Sequence, residues 1–167
     1  MKLNAITQIG DIQRVVCDAR HYDEALDDGR SVIADICETF ADTNKIQFIV
    51  SGFGSNQWPV DCRFDLPVII EQLPEIRRKI LKEDFNFVLD FYEQGIERAV
   101  SFKKENDNVV LECTSRNDWV PDPCRIEMRK DNVSSIFNTL HESFLFLSQY
   151  ICNDLAKNTL LKEWMGI

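Results

Sequence analysis

Apolar and polar residues alternate most regularly between residues 85 and 92 of the chain. The apolar positions are Phe85, Phe87, Leu89 and Phe91. A period of two predicts a strand with one buried face. Gln94-Gly95 then predicts a hairpin turn into a strand over residues 96–104. A second turn at residues 106–108 predicts a further strand over residues 109–115.

A fourth β-rich run, KIQFIV, lies at residues 45–50 and precedes the turn residues Ser51–Ser55. The two glycines of that turn permit a sharp change of chain direction. We expect the segment 45–53 to join the other three strands. The pattern therefore predicts an antiparallel sheet of about four strands, which is a common size.

Two segments in the first half of the chain have helical spacing. Residues 22–40 predict an acidic amphipathic helix, although Asp27-Asp28-Gly29 favours a turn in its first half. A strand from Ser31 is the alternative for the second half. Another helix is predicted from Asp65, with Pro74 expected to kink or restart it.

The longest helical pattern runs from Asp131 to about Ala156. Its apolar residues recur at i, i+3, i+4 and i+7, which makes a stripe wide enough to cover one face of a sheet. With 167 residues, 44% of them hydrophobic and 28% charged, the composition is that of one globular domain over residues 1–167. The predicted fold is α+β: an antiparallel sheet of about four strands covered by helices, including a long C-terminal one.

Composition and cysteine spacing favour a cytoplasmic protein without a cofactor. The first ten residues lack the apolar block of a signal peptide, and no stretch reaches the roughly 18 apolar residues of a membrane span. Six cysteines are present, but none forms a C-x-x-C pair, and only two histidines could complete a metal set. We therefore expect free thiols, with no metal and no required disulfide.

The formal net charge is −9, and residues 1–44 alone hold nine acids against four bases. A negative field repels phosphate backbones and attracts basic partners. Charge therefore disfavours a nucleic-acid ligand and favours a basic protein partner.

The sequence contains several possible catalytic groups, each with a simpler structural interpretation. Ser51–Ser55 lacks the pattern of a phosphate loop and is typical of a turn that ends a strand. Glu93 and Glu97 flank the predicted hairpin turn and are typical of a solvated hairpin end. His141 lies off the apolar stripe, so we expect it on the surface rather than beside a nucleophilic cysteine. We assign no catalytic residues.

Tryptophans beside acidic residues make the most distinctive local cluster. Rigid aromatic anchors and steering charges are typical of protein interfaces, although both indoles could instead close the edges of the core. The acidic side of the first predicted helix supplies further carboxylates. The predicted partner-binding residues are Trp58, Asp61, Asp65, Trp119, Asp122, Asp35, Glu38 and Asp42.

Three segments also carry a family resemblance: SGFGSNQWPVDCRFDLPVIIEQLPEI, LDFYEQGIERAVSF and LECTSRNDWVPDP. They resemble the signature segments of a family of bacterial proteins found beside polymorphic and contact-dependent growth inhibition toxins, as their immunity proteins. The resemblance covers roughly residues 45–125. It implies a stoichiometric inhibitor that binds a cognate toxin domain and carries no catalytic residues. The alternatives are a small enzyme using residues 51–65 with Glu93 or Glu97, and a protein-interaction adaptor.

Overall fold

Two short strands, β1 (Lys2–Ala5) and β2 (Ile46–Ile49), form an antiparallel two-stranded sheet. The computed structural model describes residues 1–15, 21–23 and 25–167. The strand at residues 45–53 was correctly predicted in part, but its expected place in the large sheet is wrong. It pairs with β1, whose four-residue sequence KLNA contains too short a pattern to reveal a strand.

The larger sheet has four antiparallel strands in chain order: β3 (Phe87–Phe91), β4 (Arg98–Glu105), β5 (Asn108–Ser115) and β6 (Arg125–Arg129). The predicted fold class and strand number are confirmed. The fourth strand is β6 rather than residues 45–53. Its sequence, RIEMR, contains only two apolar residues between charged ones, so its hydrophobic signal is weak.

The first helix begins at a capping residue, and the second continues through a proline. Helix α1 (Gly29–Thr43) is capped by Asp28, whose side chain accepts a hydrogen bond of 2.8 Å from the Arg30 backbone N–H. The Asp27-Asp28-Gly29 signal therefore marks the helix start. The predicted helix over residues 22–40 is confirmed from Gly29 onward, its expected start at Tyr22 is wrong, and so is the strand alternative from Ser31. Helix α2 (Asp65–Leu81) continues through Pro74 instead of restarting there.

Three helices complete the chain: α3 (Lys130–Ile151), α4 (Asn153–Ala156) and α5 (Thr159–Met165). The predicted long helix is confirmed, except that it ends at Ile151 and α4 follows. Close packing brings α1 against α5, because a Cβ atom at Gly29 would lie 2.1 Å from Trp164 Cβ. No helix in the described ranges is long and apolar enough to cross a membrane.

The inner face of the large sheet packs against α3. Phe87 on β3 lies 5.5 Å, centroid to centroid, from Phe137 on α3, and it stacks at 4.6 Å on Phe102 of β4. This contact confirms the prediction that the aromatic strand packs on the long helix. The buried core is continuous across both sheets and the helices. The loops at the end of the large sheet where Arg98 begins β4 lie over this core.

Candidate functional site

Trp58 lies in the core, with 1% of its surface exposed. Its ring contacts Phe91 at 5.0 Å and Phe53 at 6.4 Å, and its Nε1–H donates to the Gly52 carbonyl at 3.2 Å. The indole therefore closes the edge of the core beneath the 51–58 loop. In this structure it supports the surface around it and is not itself available to a partner.

Trp119 and Asp122 lie on the loop between β5 and β6, which packs on the 51–58 loop. The Trp119 ring is half-buried and lies 5.7 Å from the Trp58 ring, while Asp122 is exposed. The Asp122 backbone N–H donates to the Phe53 carbonyl at 3.1 Å. Gly54 has a φ of +83°, and a Cβ there would lie 1.9 Å from the Asp122 carbonyl oxygen, so only glycine permits this approach.

The start of α2 brings several predicted acids together around an aromatic residue that sequence reasoning missed. Asp61 is exposed, and its Oδ1 accepts a hydrogen bond of 2.7 Å from the Phe64 backbone N–H. The Asp61 backbone N–H in turn donates to Asp65 Oδ2 at 2.8 Å. This geometry holds the Phe64 side chain outward, with 60% of its surface exposed.

Arg63 joins this turn to the predicted acids of α1. Its guanidinium forms ion pairs with Glu38 and Asp42, both of which are more than half exposed. Asp35, the third predicted acid of α1, is half-buried and accepts a hydrogen bond of 2.6 Å from the Tyr22 hydroxyl. Arg63 thus joins Glu38 and Asp42 to the turn that contains Phe64, whereas Asp35 is already engaged within the fold.

A cleft of about 510 Å³ lies beside Phe64, where the turn at the start of α2 meets the hairpin between β3 and β4. It is lined by Pro59, Asp61, Phe64, Asp65, Glu93, Gln94, Gly95 and Ile96. We call this cleft, together with Glu38 and Asp42, which Arg63 joins to the same turn, the acidic face. It combines an exposed aromatic ring with carboxylates from three separate parts of the chain.

Asp65 is the most perturbed acid of the acidic face. Burial raises its pKa to about 6, and the nearby carboxylates of Asp61 and Glu93 act in the same direction, while the hydrogen bond from the Asp61 backbone opposes them. At neutral pH the carboxylate is mostly ionised, but at a cost to the folded state. It fixes the turn that presents Phe64.

The raised pKa of Asp65 predicts how the stability of the Asp65→Asn variant depends on pH. Because the folded pKa of Asp65 lies above its ordinary value of 3.8, protonation stabilises the fold below pH 4, and that stabilisation is lost as pH rises through about 6. Asparagine keeps an oxygen that can accept the Asp61 N–H bond but never ionises. We expect the variant to gain stability relative to wild type, on the order of 1–3 kcal/mol, between pH 4 and pH 7.5.

The measurement is denaturant unfolding of both proteins at the two pH values. Subtracting wild type from variant removes the opposing contribution of His141, whose pKa is lowered to about 4 by burial and by Arg77. An unchanged difference between pH 4 and pH 7.5 would show that Asp65 does not titrate as described.

His141 is buried, with 5% of its surface exposed, which corrects its expected place on the surface. Arg77 Nη1 lies 2.9 Å from His141 Nε2, and because arginine always donates, Nε2 accepts and the proton resides on Nδ1. His141 lies beside the apolar stripe of α3, but α2 covers it. The helical pattern of α3 alone does not reveal this contact. The imidazole is therefore neutral, and its Nε2 already accepts a hydrogen bond from Arg77.

The described thiols are free and mostly buried. Burial raises the pKa of Cys62 and of Cys113 to about 11 and holds that of Cys37 well above its ordinary value, so these groups stay protonated at neutral pH. Cys17 lies outside the described residues. Within the part of the chain that the structure describes, no three His, Cys, Asp or Glu side chains are grouped as metal ligands.

Arg98 is the second residue that sequence reasoning missed. Arg98 lies on the same face of β4 as Val100 and Phe102, and this period of two places the arginine on the inner face of the sheet. The charge of arginine hides that signal, because strand patterns are read from apolar residues.

Comparisons of the chain with known protein families, with curated proteins and with solved structures give no match.

Proposed function

We propose that this protein is an immunity protein that binds and neutralises a basic domain of a bacterial toxin in the cytoplasm, without catalysing a reaction. The single observation that carries the proposal is the exposed Phe64 ring set among carboxylates on the acidic face. An aromatic residue that anchors a contact, rimmed by charges that steer the approach, is typical of protein interfaces. The segments that resemble immunity proteins include this turn.

The charge of the face determines the kind of partner. Glu38, Asp42 and Asp61 are exposed, and Arg63 is the cation that pairs with the first two. Exposed pairs of this kind are worth little to the fold, so a basic partner can compete for these carboxylates. Toxins that cleave nucleic acids have basic substrate grooves, and an acidic protein can cover such a groove.

The predicted binding residues take different roles within this proposal. Asp61, Glu38 and Asp42 contact the partner directly. Asp65 fixes the turn that presents Phe64, and Trp58 supports it from the core. Trp119 and Asp122 belong to the loop that packs on residues 51–58, so we assign them to the rim.

A small enzyme is the second candidate, favoured by one observation in the same cleft. Asp65, whose pKa burial raises to about 6, lies near Glu93, and a carboxyl group with a raised pKa can serve as a general acid or base. In an enzyme, one of Asp65 and Glu93 would donate a proton to the substrate and the other would accept one. An inhibitor needs only the shape and charge of the face.

The test is survival of cells that express the chain together with a toxin domain, which the proposal expects to be encoded beside the gene for this protein. We expect wild-type protein to protect and to copurify with the toxin domain in equal amounts. Phe64→Ala should weaken protection, because it removes the exposed anchor, by an affinity loss of roughly 2 kcal/mol or more if the ring is a hot spot. Val88→Ala, which removes another exposed apolar side chain from the outer face of β3, is the matched control and should protect fully.

Three outcomes separate the hypotheses. Failure of wild-type protein to bind or to protect contradicts the immunity function. Protection that survives Phe64→Ala leaves the function standing and removes the acidic face as its site. Protection lost in Asp65→Asn and Glu93→Gln while the toxin domain still copurifies favours the enzyme.

A further inference from the structure

A buried arginine, two of whose nitrogens have no hydrogen-bond acceptor among the described residues, lies at the end of the large sheet, apart from the acidic face. Arg98 begins β4, and 3% of its surface is exposed. Among residues 1–15, 21–23 and 25–167, neither its Nε nor its Nη1 has a hydrogen-bond acceptor. Two of the three guanidinium nitrogens are thus buried donors without partners, which native proteins rarely tolerate.

Two indoles form a corner around this guanidinium. The Arg98 Cζ atom lies 3.6 Å from the centre of the Trp119 ring and 4.5 Å from that of the Trp58 ring. The two ring planes meet at 60°. Cation–π attraction stabilises the positive charge, but ring faces accept no conventional hydrogen bond along the edge of the guanidinium.

Among the residues that the structure describes, the neighbours of Arg98 do not supply a counter-charge. The Cys113 thiol lies close enough to interact with Arg98, yet burial raises its pKa to about 11, so it stays neutral. Phe91 is paired with Arg98 across the strands and contributes another apolar ring. A buried charge in such surroundings is costly unless an anion completes it.

We propose that Arg98, Trp58 and Trp119 form a binding site for a small carboxylic acid, whose carboxylate pairs with the guanidinium and whose apolar body lies against the indoles. A planar carboxylate accepts a two-point hydrogen bond from the fork that Nη2 forms with Nε or with Nη1, so it engages one of the two nitrogens left without an acceptor. The exposed Asp118 and Asp122 on the same loop disfavour a doubly charged phosphate at the entrance. This inference is independent of the proposed function.

Access to the site is through Trp119. Trp58 is fully buried, whereas Trp119 is half-buried and its loop contains no helix or strand. A backbone hydrogen bond of 3.0 Å to Asn117 Oδ1 holds Trp119 in place, and Asn117 in turn donates to the Ile96 carbonyl at 2.9 Å. The ligand is therefore expected to reach the guanidinium from the Trp119 side of the site.

The experiment is a titration of the ¹⁵N-labelled full chain with sodium acetate, replacing sodium chloride at constant ionic strength. We expect a saturable shift of the Arg98 Nε–H resonance and of the Trp119 indole N–H resonance. Acetate should also raise the melting temperature of wild-type protein above its value in chloride. Arg98→Met should lose this rise, and Arg125→Met, which removes an exposed arginine from β6, should keep it.

Each alternative outcome overturns the proposal. Shifts that do not saturate, or that are equal in acetate and chloride, exclude a carboxylate site, and binding of inorganic phosphate more tightly than acetate contradicts the ligand class. If Arg98→Met does not fold, the comparison of acetate with chloride on wild-type protein decides the question alone.

Discussion

The Trp58→Ala variant is expected to lose about 3–5 kcal/mol of its free energy of unfolding, the usual cost of removing a large buried aromatic side chain. The change removes ring contacts with Phe91 and Phe53 and the hydrogen bond to the Gly52 carbonyl. It also exposes one side of the Arg98 guanidinium. Since domains are stable by about 5–15 kcal/mol, this loss is a large fraction of the total.

Denaturant unfolding measures this effect, with Phe64→Ala as the control. Phe64 is an aromatic residue six positions further along the chain, but it is 60% exposed, so its replacement should change stability by no more than about 0.5 kcal/mol. The two variants distinguish a structural role from a binding role, because Trp58→Ala should weaken the fold and Phe64→Ala should weaken binding. Equal and small losses for both variants would contradict the placement of Trp58 in the core.

The second large effect is expected for Phe87→Ala, also about 3–5 kcal/mol. Phe87 joins three elements, because its ring stacks on Phe102 of β4 and meets Phe137 of α3 edge to face. Its loss leaves a cavity between the sheet and the helix that covers it. The measurement is the midpoint and slope of a denaturant titration followed by a probe of helix content.

The adjacent residue is the control for this variant. Val88 points to the opposite face of β3 and is 54% exposed, so Val88→Ala should lie within about 0.5 kcal/mol of wild type. A loss below about 3 kcal/mol for Phe87→Ala, or a comparable loss for Val88→Ala, would contradict the assignment of the inner face.

Local pattern was sufficient for the central strands of the fold and insufficient for its edges. Strands β3, β4 and β5 have turn residues between them, and the period of two was readable in β3. Strand β6 lies at the sheet edge, where Arg125, Glu127 and Arg129 alternate with two half-buried residues, so burial leaves a weak trace in its sequence. The partner of β2 could not be inferred, because pairing is a long-range choice that neither strand encodes alone.

The candidate site shows the same division between local and long-range information. The acids of α1 and the turn before α2 could each be identified as charged segments, but Arg63 joins them across more than 20 residues of sequence. Only the folded chain shows that Glu38 and Asp42 are joined to the turn that contains Phe64. The alternative interpretation of Trp58, an indole beneath a loop, describes its position, because spacing alone cannot distinguish a buried aromatic from an exposed one.

The central claim is that the acidic face attracts a basic toxin domain, and the association rate tests it most directly. We compare wild-type protein with a variant carrying Glu38→Gln, Asp42→Asn and Asp61→Asn, at low and at physiological salt. Amide side chains keep acceptor oxygens, and neutralising three carboxylates changes the net charge from −9 to −6. A control with Glu127→Gln, Glu142→Gln and Asp154→Asn makes the same change at exposed positions that do not line the cleft.

We expect neutralisation of the acidic face to slow association with the toxin domain by roughly tenfold or more at low salt and to flatten its dependence on salt. The control variant should associate nearly as fast as wild type, since steering depends on charges near the contact. Equal association rates for all three proteins at low salt would contradict the claim that this face meets the partner.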